Sequence, residues 1–127
     1  MDTTTASSTP QPPAAVRLVN EIVRDAIVAG ASEVLLQAGP GLDVVQFRVD
    51  ESLREHMRVP ADVMPRVLRR IAVLSKLLPI LPTQTQEGTA VVAVRGVRYD
   101  LGITITPTPT GTDLSVVIQE AELDMSG

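Results

Sequence analysis

The 127-residue sequence has no cysteine and no tryptophan, a single histidine (His56), a single lysine (Lys76) and only two phenyl-type rings, Phe47 and Tyr99. Without cysteine there is no thiolate nucleophile, disulfide or thiolate zinc site, and one imidazole cannot build a histidine site. Carboxylate-held hard cations are the remaining metal chemistry, and no motif calls for one, so we expect neither metal nor cofactor. Hydrolysis of a nucleotide by a P-loop needs G-x-x-x-x-G-K-[ST], because a lysine must reach the β and γ phosphates. Lys76 lies instead in LSKLL, and the motif does not occur. Long apolar runs are missing as well: no window approaches about eighteen uninterrupted apolar residues, and MDTTTASSTPQPPAA lacks an apolar signal core. The expectation is a soluble, cytoplasmic protein with no membrane insertion. Positive charge is also short, with 11 Lys and Arg against 15 Asp and Glu and a net charge of −4. That balance repels a phosphodiester backbone, and two rings offer little base stacking, so nucleic acid is excluded as a partner.

What is present is a 44% hydrophobic chain, enough for one core that buries about two thirds of the unfolded surface. Residues 1–14, rich in Thr, Ser and Pro, read as a disordered tail, 15–121 as the single domain and 122–127 as a flexible end. Val16, Val19, Ile22, Val23, Ala26 and Ile27 recur at steps of three and four, predicting an amphipathic helix closed by Gly30. Glu33 to Ala38 and Asp43 to Asp50 read as a hairpin around Gly39-Pro40-Gly41, with the Phe47 side facing the core and a third strand from Ser52 to Arg58. A second helix, capped by Asp62, carries Met64, Val67, Leu68, Ile71, Leu74 and Leu77 inward and is stopped by Pro79 and Pro82. Thr89 to Val94, Val97 to Thr106 and Asp113 to Gln119 form a meander. The fold class is therefore α+β: two layers, an antiparallel sheet of five or six strands with two helices on it, in the order α-β-β-(β)-α-β-β-β.

Few residues suggest chemistry. AGASEVLLQAGPG, from Ala29 to Gly41, holds three glycines, but Gly30 closes a helix and precedes a strand, the reverse of a dinucleotide-binding turn. His56 reads as a surface strand histidine, and Asp50 with Glu51 as turn formers that pair with the neighbouring Arg48. Arg66, Arg69 and Arg70 form a basic outer face on the second helix, either a solvated surface or a docking one.

From about Val16 to Gln119 the sequence resembles the second N-terminal domain of the type II secretion and type IV pilus assembly ATPases. Gly30-Ala31-Ser32-Glu33-Val34 is similar to that family's Gly-Ala-Ser-Asp signature, with Leu35 and Gln37 where the family has histidine and glutamate. Phe47-Arg48-Val49-Asp50 matches its aromatic-Arg-Ile-Asp, Ser75-Lys76-Leu77 an Ala-Lys-Leu, and Gln86-Glu87-Gly88 a Gln-Asp-Gly. Gly96-Val97-Arg98 and Thr104-Ile105-Thr106-Pro107-Thr108 continue the order. The resemblance implies a PAS-like sheet and a role beside a hexameric motor, to which such domains supply phosphate-reading arginines. Gln46 and Gly102 stand where two of those arginines are expected, as do Pro82 and Thr83, leaving Arg48 as the nucleotide-contact candidate.

The leading expectation is thus a non-catalytic interaction or regulatory module, not an enzyme, whose partner is a protein such as a secretion or pilus ATPase. One alternative is a small-ligand sensor with an apolar pocket between helix and sheet. Another is a self-assembling structural protein, a homo-oligomer joined through an exposed edge at Asp113 to Gln119.

Overall fold

The computed structural model of the protein describes residues 14–37, 42–60, 62–77, 83–109 and 111–121. Apart from Ala14, which opens α1, the expected tails lie outside these residues, as do the Gly39-Pro40-Gly41 turn and the Pro79 and Pro82 stop. Two helices and six strands follow in the order α1 (Ala14–Val28), β1 (Glu33–Gln37), β2 (Leu42–Val49), β3 (Ser52–Pro60), α2 (Met64–Leu74), β4 (Gln86–Val94), β5 (Val97–Thr108) and β6 (Gly111–Glu120). This is the expected α+β architecture, with the optional third strand present.

The helical stripes of the sequence become the buried faces. Val19, Ile22, Val23 and Ala26 of α1 and Val67, Leu68, Ile71 and Ala72 of α2 are buried against one face of the sheet. From the sheet they meet Val34, Leu36, Val45, Phe47, Leu101, Ile103, Ile105, Leu114, Val116 and Ile118, every second residue of their strands, as a period of two requires.

Both helices end on a left-handed residue. Gly30 has φ 77°, and the Ala31 N–H donates to the Ala26 carbonyl at 2.9 Å, closing a Schellman-type turn. At the end of α2 the left-handed residue is Lys76, φ 60°, with Leu77 N–H donating to Ala72 at 2.7 Å. The apolar series therefore outruns the helix, and Leu77 packs beyond its last turn. The start of α2 also differs from expectation. Val63, not Asp62, occupies the cap with no side-chain bond, because Pro65 in the first turn already lacks the N–H that a capping carboxylate would satisfy.

The six strands form one antiparallel sheet in the order β3-β2-β1-β6-β5-β4. β6 is thus an interior strand, bonded to β1 from Glu33↔Val117 to Leu36↔Leu114 and to β5 from Tyr99↔Glu120 to Thr108↔Gly111. This corrects the expectation of an exposed edge at Asp113 to Gln119. Its alternating Leu114, Val116 and Ile118 is the pattern of a covered strand, and the free edges belong to β3 and β4.

Candidate functional site

Helices cover one face of the sheet, and the residues that alternate with the core point to the other. Pairing aligns them in rows across the strands: Arg48 lies beside Glu33, Glu33 beside Val117, Val117 beside Gly102, and Gly102 beside Thr89. The adjacent row contains Gln46, Leu35, Ser115 and Thr104. Positions 46, 48 and 102, where the resemblance expects arginines, therefore share one face and two neighbouring rows.

Of those three positions only Arg48 carries a charge, and it is engaged. Its Nε donates to Glu33 Oε1 at 3.0 Å, while the Ser115 hydroxyl donates to Glu33 Oε2 at 2.7 Å. The expected pairing of Arg48 with Asp50 or Glu51 is not formed. Those two residues make the tight β2–β3 turn with φ of 51° and 66°, and a cross-strand neighbour is better placed than a turn carboxylate. The Ser115 hydrogen bond, aided by the hydrogen bond and charge of Arg48, lowers the Glu33 pKa from its ordinary value against the opposing effect of partial burial.

A depressed carboxylate pKa stabilises the fold above the unfolded pKa of about 4.3, and that contribution is lost as pH falls through the folded value. Glu33→Gln is accordingly expected to cost about 1 kcal/mol at neutral pH, from weaker bonds to Ser115 and Arg48. The gap from the parent should close on acidification below about pH 4. Urea melts of both proteins across that range check this, and a pH-independent gap would refute it.

A different feature occupies the helical face. α1 and α2 leave part of the β4–β5 hairpin uncovered, and the space between is a groove of about 610 Å³. Its floor is Ala90, Val92, Leu101 and Ile103, its wall Val23, Ile71 and Leu74, and Asn20, Arg24 and Arg95 supply polar groups. No motif announced it, since it arises from a gap between elements rather than from a local pattern.

The remaining candidates lie apart from both. Arg66 and Arg69 are exposed on α2, whereas Arg70 is half-buried with its Nε enclosed and unbonded among the described residues. His56 sits on β3, stacked on Phe47 with centroids 4.1 Å apart, and its Nε2 lies 3.2 Å from Asp25 Oδ2 of α1. Among the described residues there is no cluster of three or more His, Cys, Asp or Glu able to hold a metal, and no helix is long and apolar enough to cross a membrane.

Comparison with known proteins agrees with this architecture. A Type II secretion system protein E of Xanthomonas campestris pv. campestris is 28% identical over 107 residues, 84% of this chain and 19% of that protein. The protein of the same name from Pseudomonas aeruginosa is 30% identical over 96 residues, 76% of this chain and 19% of its own length. The chain thus spans about a fifth of the curated relatives it matches. The pilus retraction motor PilT, solved with bound ADP, shares the fold at TM-score 0.54 and 18% identity, covering 81% of this chain and 29% of that one. The family described as Type II/IV secretion system protein matches residues 11–125, so the chain belongs to that family, in the form of an N-terminal domain of secretion and pilus ATPases.

Proposed function

We propose that this domain is a non-catalytic interaction module that docks on a secretion or pilus ATPase through the arginine face of α2. The carrying observation is that Arg66 and Arg69 are exposed and, among the described residues, make no ion pair or side-chain hydrogen bond. In a chain of net charge −4, two uncommitted guanidinium groups one turn apart suit an acidic protein surface. The neutralised Arg48 supports the non-catalytic part of the reading. A guanidinium already holding Glu33 is poorly placed to stabilise charge growing on a phosphate.

The test is calorimetric titration of a purified type II secretion ATPase with the chain. Arg66→Glu/Arg69→Glu is expected to weaken binding at least about tenfold and to flatten its salt dependence. Both positions are exposed, and an acid at position 66, in the first turn of α2, favours the helix, so the variant keeps its fold. Equal affinity of variant and parent would sink the proposal.

The groove favours a second reading, a sensor for a small amphipathic anion whose apolar body lies on Val92 and Leu101 and whose charge meets Arg24. In the same calorimeter, heat on adding a medium-chain carboxylate, lost in Leu101→Trp, would favour this reading over docking.

A further inference from the structure

The two free edges of the sheet are built differently. β3 carries Arg54, Glu55 and Arg58, shifts register against β2 between Val45 and Gln46, and ends on Pro60. Charge, bulge and proline each discourage another chain from pairing. β4 has none of these from Thr89 to Val94. TAVVAV is uncharged, its register with β5 is unbroken from Gln86↔Ile105 to Val94↔Val97, and Val91 is 54% exposed.

The hairpin fixes which backbone groups face outward. Val94 and Val97 flank the two-residue turn Arg95-Gly96, whose φ values are 55° and 78°. They are therefore a hydrogen-bonded pair, and Val92 and Ala90 bond β5 in the same way. The alternate residues Thr89, Val91 and Ala93 aim N–H and C=O away from the sheet.

We propose that a second copy of this chain pairs antiparallel along β4, about a two-fold axis at Val91. In this register Val91 meets Val91 of the other copy as a hydrogen-bonded pair, and Thr89 meets Ala93, so every outward group in the stretch finds a complement. Glu87 then lies opposite Arg95 at each end. Both are exposed, and among the described residues neither makes an ion pair or side-chain hydrogen bond. The opposite charges at the two ends of β4 make the edge complementary to itself in this one direction and register. That favours a second copy over an unrelated strand. Ala93 and Val94 also line the groove, so pairing extends its wall with the hairpin of the other copy.

Sedimentation equilibrium of the full chain, from micromolar to millimolar concentration, tests the pairing. The parent should show a monomer–dimer equilibrium. Val91→Lys places two like charges at the axis and is expected to weaken it at least about tenfold. Glu87→Arg and Arg95→Glu should each weaken dimerisation, and the double exchange should restore it. The altered side chains are exposed, so circular dichroism should show each variant folded. A parent that stays monomeric throughout, or a dimer indifferent to Val91→Lys and to the charge exchange, overturns the proposal.

Discussion

Ile105→Ala is expected to lower the free energy of unfolding by about 2–5 kcal/mol. Ile105 has no exposed surface and is, among the described residues, the largest of the fully buried side chains. It stands on β5 between Gln86 of β4 and Leu114 of β6, so its loss opens a cavity where the sheet is flanked on both sides. The surroundings cannot collapse to fill it, because the ladders on either side fix the backbone. The transfer and cavity terms therefore add. Equilibrium urea denaturation should show a lower midpoint with an unchanged slope, as for a stability change without a change in compactness. A loss below about 1 kcal/mol would show that the core beneath the helices repacks freely.

Gly88→Val is expected to cost about 3 kcal/mol, the upper end of the overpacking range. A Cβ at Gly88 would meet the Ser75 carbonyl oxygen at 2.8 Å and Leu77 Cγ at 2.9 Å. The nearest obstacle is backbone, and it belongs to the residue that closes α2, whose N–H donates to Ile71 and whose hydroxyl donates to the same carbonyl at 2.7 Å. Ser75 cannot retreat without disturbing the end of the helix. Gln86 Nε2, which donates to the Leu77 carbonyl at 3.1 Å, holds the same junction from the strand side. Gly102→Ala is the matched control. Its Cβ would meet only Val117 Cβ at 3.9 Å, an ordinary contact, so thermal melts should show a change near zero there. Equal losses at the two glycines would mean that strand entropy, not the close approach, governs both.

The contrast between these glycines marks what was legible in the sequence. Element order and the buried faces were readable, because periods of 3.6 and two are local properties: Val19, Ile22 and Val23 in α1, and Val45 and Phe47 in β2, all lie where their spacing puts them. Neighbour relations between distant elements were not. Gly88 is legible in the sequence only as the end of the Gln-Glu-Gly motif, and nothing local says that the end of α2 rests on it. The partner of Arg48 was half readable. The pairing Glu33↔Arg48 is centred between residues 40 and 41, inside the Gly39-Pro40-Gly41 turn signal, so counting outward from that turn reaches Glu33. Ser115 had no such signal, since only the sheet order brings β6 beside β1. Asp113 to Gln119 was misplaced for the same reason: its valines suit an edge or an interior strand equally, and the order of strands decides.

That order has a consequence for how the chain assembles. β1, β2 and β3 are sequential neighbours, as are β4, β5 and β6, so each half of the sheet closes through hairpins alone. The halves join at a single seam, β1 against β6, whose Ser115–Glu33 bond links residues 82 apart in sequence. Closing a loop of that span costs more chain entropy than closing a hairpin. Glu33 bonds across the seam to Ser115 and across the adjoining ladder to Arg48. The carboxylate on the open face thus serves as a latch that fastens the two halves of the sheet across their one seam.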